Sequence, residues 1–226
     1  MNLRLKIEEI CYNIKLAQEK NNLQHPVEIV GVTKTKPFSF IQATYKAGLR
    51  AIGENRIQEA ENKFGSFEKM PGLKKRFIGH LQSNKVKKCV ELFDAIDSVS
   101  SLKTLKKIER YSQEMKKPLS VLIEINTSEE TQKHGFLPTQ KDEILQCFYH
   151  KGLAIDGLMT LAPNTSDQSR IRMSFKKLRK TKEWIESQTK IKINHLSMGM
   201  SGDYKLAVEE GSTMIRVGSF LYGPRN

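Results

Sequence analysis

The chain has 226 residues, 38% hydrophobic and 28% charged, ordinary values for a globular protein able to bury a sizeable core. Lys and Arg number 38 against 25 Asp and Glu, and the resulting net charge of +13 bears on partners rather than on fold. No apolar run approaches the ~20 residues of a spanning helix. The charged N-terminal stretch lacks the apolar block of a secretory signal. Three scattered cysteines, Cys11, Cys89 and Cys147, argue against a disulfide framework. The expectation is a reduced, cytoplasmic protein with no membrane partner.

Helical and strand patterns then alternate from one end to the other. Leu3, Ile7, Ile10 and Ile14 share one face and predict an opening amphipathic helix. The β-branched run 27–33 predicts a buried strand. Pro37 then suits the first turn of a helix carrying Ile41, Tyr45 and Leu49. A short strand at 50–53 precedes a helix with Ile57, Ala60 and Phe64. Next come strand 76–80 with a helix from Lys85, and strand 94–99 with a helix through Leu102, Leu105 and Ile108. Strand 119–126 is followed by a helix opened by Pro138, and strand 153–159 by helix 167–188. Strand 192–197, short helix 203–210 and strand 213–218 complete eight strands.

Eight strands separated by helices within about 190 residues predict a (β/α)₈ barrel, with a doubly wound sheet as the alternative. In a barrel, functional groups belong where strands end, on the C-terminal face. The polar residues there are Thr33, Lys34, Asn55, His80, Ser98, Asn126, Thr127, Thr160, Ser197 to Ser201, Arg216, Gly218 and Ser219. Lys34, just past an apolar strand, would present a desolvated amine fit for a Schiff base, or would snorkel to solvent. Lys36 reads as the solvent lysine of the pair. The loops 197–202 and 216–219 combine small residues with hydroxyls after strands seven and eight, where barrels frequently hold phosphate. Asn55 reads first as a helix cap. His80 reads as a satisfied core histidine, and His134 and His195 have no Cys or carboxylate partners at metal spacing, so no metal site is expected. The basic runs at 74–76, 85–88, 102–107 and 176–182 read as solvated faces, and no nucleic-acid module is present.

Six stretches carry a resemblance that covers nearly all of the chain: 32–37, 53–60, 77–85, 125–136, 157–163 and 196–225. The last, LSMGMSGDYKLAVEEGSTMIRVGSFLYGPR, is the most specific. Through them the chain resembles the pyridoxal phosphate homeostasis proteins of the YggS/PROSC type, barrels similar to the N-terminal domain of alanine racemase. The resemblance implies pyridoxal 5′-phosphate as cofactor and Lys34 as the residue in aldimine linkage with it. It further implies Asn55 near the pyridine ring, Met198 bordering it, and Arg216 as partner of the ring nitrogen. Ser201, Gly218 and Ser219 are the implied phosphate contacts. Thr33, Gln132 and Ser219 depart from the residues common in the family, namely Ser, Ser and Thr. Ser219 keeps the hydroxyl, whereas Gln132 leaves Lys133 as either a secondary cofactor contact or a surface lysine.

The resemblance supports a non-catalytic carrier that buffers the cofactor and hands it to apo-enzymes, in vitamin B6 homeostasis. The alternative is an amino-acid racemase or related enzyme of low activity. Arg216 does not separate the two, because related racemases also carry Arg there. Those racemases complete their sites with a second, β-rich domain that supplies an opposing base. Here strand eight closes near Asn226, so the expectation is one barrel domain over 1–226, monomeric and without that base.

Overall fold

Eight parallel strands follow in chain order: β1 (Glu28–Val32), β2 (Ala51–Glu54), β3 (Lys74–Phe77), β4 (Ala95–Val99), β5 (Ser120–Glu124), β6 (Ala154–Met159), β7 (His195–Met200) and β8 (Met214–Val217). In the computed structural model, which describes residues 2–65, 70–150 and 152–224, each strand pairs with the next. β1 pairs on one side with β2 and on the other with β8, where Glu28 lies opposite Met214. The sheet is therefore a closed barrel, and the doubly wound alternative falls because that sheet would keep two free edges.

The helices run between strands: α1 (Leu3–Glu19), α2 (Phe38–Lys46), α3 (Ile57–Lys63), α4 (Val86–Leu92), α5 (Leu102–Glu114), α6 (Lys141–Phe148), α7 (Gln168–Thr189), α8 (Tyr204–Glu209) and α9 (Ser219–Tyr222). Local chemistry starts several of them. Asn2, Ser101 and Asp167 cap α1, α5 and α7 by accepting first-turn N–H bonds. Among the described residues, no helix is long and apolar enough to cross a membrane.

Period-two alternation divides the sheet into two faces. Phe77, Ile96, Val121, Ile123, Leu158 and Leu196 point outward into the main core beneath the helices. Val30, Ala51, Leu122, Met159 and Met214 fill the barrel interior. Arg76 and Asp97 alternate with outward residues and so meet inside, joined by two hydrogen bonds of 2.8 Å. Ile10, Ile14 and Ala17 seat α1 against Val208 and Leu221. From α1, Lys6 Nζ donates to the Phe220 carbonyl at 2.7 Å, bracing the turn that follows β8.

Most strands agree with the sequence expectation to within two residues, and the larger departures have physical reasons. The helix expected to open at Pro138 begins only at Lys141, after a turn in which the Leu137 N–H donates to Gln140 Oε1 at 2.8 Å. The third strand covers 74–77 rather than 76–80, because charged Lys74 and Lys75 pair with Ala51 and Ile52 at the barrel rim. The seventh runs 195–200 rather than 192–197. Lys190 ends α7 in a left-handed conformation (φ 62°), and Ile193 is spent on the outer core before pairing with β6 begins at His195. The short α9 has no periodicity long enough to announce it.

Candidate cofactor site at the barrel mouth

A cavity of about 500 Å³ opens at the C-terminal ends of the strands. Lys34 and Asn55 line one side, Ser201, Gly218 and Ser219 another, and Arg216 joins them. Residues far apart in sequence converge because each follows, or ends, a different strand of the closed barrel.

Lys34 is half-buried and stands two residues past the end of β1. Asn55 follows β2 and is also half-buried. It is not a helix cap: Arg56 holds the N-cap position of α3 and makes no side-chain cap bond. The Asn55 backbone instead crosses the end of β3 so closely that a Cβ on Gly79 would lie 2.2 Å from the Asn55 carbonyl oxygen. Glycine at 79 is thus a condition for Asn55 reaching the cavity.

The opposite wall is built from backbone and hydroxyls. Ser201 Oγ accepts from the N–H groups of Gly218 and Phe220, both at 3.2 Å, and so ties the loop after β7 to the turn after β8. Gly199 adopts φ 97°, and a Cβ there would stand 2.6 Å from the Ala207 Cβ. This glycine bends the end of β7 over α8. Ser219 is exposed at the start of α9.

Arg216 is 4% exposed and points into the barrel. Its Nη1 donates to Ser197 Oγ at 2.6 Å and its Nη2 to the Thr160 carbonyl at 2.8 Å. Burial pulls its pKa down while Asp97, Asp203 and Glu124 pull it back, and a guanidinium so surrounded stays charged. Glu124, buried near it, has its carboxyl pushed up to about 7 by burial, with Arg216 opposing. Its Oε2 has no hydrogen-bond partner.

Two sequence expectations need correction and two uncertain residues find a place. Met198 does not line the cavity: it alternates with inward Ser197 and lies fully buried in the outer core. Met200, 41% exposed, lines the cavity instead, because the bend at Gly199 breaks the alternation. Lys36 is not simply a solvent lysine: half-buried, it lines the cavity and donates to the Pro224 carbonyl at 3.0 Å. Lys133 donates to the Ala162 carbonyl at 2.7 Å and pairs with Glu130, bridging the loops after β5 and β6. His80 lines the cavity and stacks on His134, ring centroids 3.5 Å apart; burial and that neighbour lower its pKa.

The other strand-end residues are structural. Thr160 Oγ bonds Thr127 Oγ at 2.8 Å and the Ile125 carbonyl, Asn126 Nδ2 holds the Glu130 carbonyl, and Ser98 Oγ holds the Gly79 carbonyl. Sequence reasoning missed Tyr222, which lines the cavity and bonds Thr44 at 2.7 Å. Only its place after the β8 turn could have signalled it. Arg225, last of the motif quoted above, lies outside the described residues.

The sequence and fold of this barrel have known relatives. A family model described as "Alanine racemase, N-terminal domain" matches residues 5–226. The pyridoxal phosphate homeostasis protein of Vibrio alginolyticus is 35% identical over 230 residues, 100% of this chain and 98% of that protein. PipY of Synechococcus elongatus PCC7942, in its structure with PLP bound, is 33% identical with a TM-score of 0.82, covering 93% of this chain and 99% of PipY. Alanine racemase of Clostridium difficile 630, at 18% identity and a TM-score of 0.73, shares the fold; it covers 99% of this chain and 56% of its own. The chain belongs to the alanine racemase N-terminal domain family and, within it, to the pyridoxal phosphate homeostasis proteins.

Proposed function

We propose that this protein binds pyridoxal 5′-phosphate in the barrel mouth and carries it, without catalysing turnover, in the service of cofactor homeostasis. One observation carries the reading: a half-buried lysine and a serine–glycine cup face the same cavity of about 500 Å³, with Arg216 on its lining. Lys34 is the covalent attachment point. Its amine condenses with the cofactor aldehyde, forming one C=N bond and releasing one water. Ser201, Gly218 and Ser219 hold the phosphate through hydroxyl and backbone donors. The Gly218 N–H already points at Ser201 Oγ, so the cup is assembled from parts that the fold keeps together.

Arg216 would meet the ring nitrogen, Asn55 would border the ring, and Met200 would take the place expected of Met198. Bound pyridoxal phosphate supplies an electrophilic carbonyl and an electron-accepting ring. A charged guanidinium keeps the ring nitrogen unprotonated and weakens that acceptor. Hand-over to apo-enzymes, in the cytoplasm and from a single-domain monomer, completes the proposed role. The name shared by the full-length relatives supports homeostasis over catalysis.

The test is α-hydrogen exchange on alanine and other amino acids in deuterated buffer, with Lys34→Ala as blank. A carrier stays near the blank. Sustained exchange at about 1 s⁻¹ or above, an ordinary enzyme rate, would replace the carrier with a racemase-type enzyme.

A further inference from the structure

The two residues flanking Lys34 are held from behind by a single ion cluster. Lys63, at the end of α3, has a side chain only 9% exposed. Its Nζ donates to the Thr33 carbonyl at 2.9 Å, to Glu54 Oε1 at 3.0 Å and to Glu59 Oε1 at 2.5 Å. Glu54 Oε1 also accepts from the Thr33 hydroxyl at 2.6 Å. Glu59 Oε1 accepts the Thr35 N–H at 2.5 Å. The residue before Lys34 is therefore gripped through its carbonyl and hydroxyl, and the residue after it through its amide.

The grip has a conformational consequence. Thr35 adopts φ 63°, a left-handed conformation that a β-branched residue holds only where its surroundings impose it. The Glu59 bond to its amide and the Lys36 N–H bond to the Thr33 carbonyl at 3.0 Å together hold this turn. Glu54 is fully buried, and its Oε2 has no partner, so this carboxylate depends on Lys63 for its counter-charge. A neutral hydrogen-bond network would have anchored the loop at lower desolvation cost. Charge-assisted bonds, in return, restrict direction more tightly.

We propose that the Glu54–Lys63–Glu59 cluster is a positioning device for Lys34, setting the direction from which its amine enters the cavity. The inference rests on the reading of Lys34 as the attachment residue. Lys63 acts through the loop backbone and is a positioning residue.

The experiment compares two probes on the full chain: pyridoxal 5′-phosphate, and pyridoxine 5′-phosphate, whose alcohol cannot condense with an amine. Lys63→Met should keep the native circular dichroism and bind pyridoxine phosphate within about twofold of wild type. Its affinity for pyridoxal phosphate should fall roughly tenfold, as expected for a misdirected reacting group. The pH midpoint of its imine absorbance should move as well. Lys63→Arg should restore most of the loss. Glu59→Gln, at a partly exposed site, should show the same selective loss, and it decides the matter if Lys63→Met does not fold. Equal losses for both probes would reduce the cluster to a stabilising role, and unchanged pyridoxal phosphate binding would overturn the positioning role. A wild-type protein with no imine on Lys34 would instead sink the attachment reading itself.

Discussion

Arg216 Nη1 reaches Ser197 Oγ at 2.6 Å, although the backbone register sets Arg216 opposite Met200. The side chain leans back across the irregular end of β7, and its second nitrogen holds the Thr160 carbonyl of the neighbouring loop. Three successive barrel segments thus fix one guanidinium, and the charge it offers to the cavity does not depend on a ligand to order it.

Attachment at Lys34 predicts where a label will lie. Borohydride reduction of the loaded protein followed by peptide mapping should place the mass gain on Lys34. Recovery chiefly on Lys36, which also lines the cavity, or on Lys133 would overturn the assignment. Lys34→Ala should lose the imine absorbance yet retain non-covalent binding through the phosphate cup.

The phosphate cup predicts ligand discrimination. Ser201→Ala and Ser219→Ala each remove a hydrogen bond to a charged acceptor, typically about 1.5–3 kcal/mol. Ser201→Ala also frees the Gly218 and Phe220 amides that now converge on its hydroxyl. The double variant, titrated by fluorescence, should bind pyridoxal phosphate at least about tenfold more weakly and unphosphorylated pyridoxal almost unchanged. Equal losses would place the phosphate elsewhere.

Glu124 predicts a pH dependence of stability. Its folded-state pKa, about 7, lies above the ordinary 4.5, so between these values the folded protein holds a proton that the unfolded chain has released. The native state therefore gains stability below about pH 4.5 and loses it as pH rises to about 7, by up to roughly 3 kcal/mol. Urea unfolding across this range should show a shallower decline for Glu124→Gln than for wild type. Parallel profiles would mean that Glu124 titrates normally.

The Arg76–Asp97 pair predicts a stability cost. Asp97→Ala leaves the Arg76 guanidinium, 3% exposed, charged and unpaired inside the barrel. Breaking a buried pair from one side costs about 3–5 kcal/mol, readable as a lower urea midpoint at unchanged slope. A loss below about 1 kcal/mol would show that water or a neighbour replaces the carboxylate.

The sequence by itself determined the alternation of strands and helices, the count of eight strands and the placing of Lys34, Ser201, Arg216, Gly218 and Ser219 at strand ends. Those features are local: hydrophobic period, turn residues and the order of elements are written within a few residues of one another. The tertiary structure alone decided that the sheet closes between β1 and β8, because pairing of the first strand with the last has no local signal. It also decided that Met200 rather than Met198 meets the cavity, since the bend at Gly199 breaks a period-two pattern. Likewise Asn55 read first as a cap, whereas the folded chain gives the N-cap position of α3 to Arg56. Lys63 carried no mark at all, being one lysine among many on a basic chain. Its meaning came from Thr33, thirty positions earlier, whose carbonyl it holds once β1 and β2 pair. Contacts between such distant residues depend on register and closure, and neither is a property of any single segment.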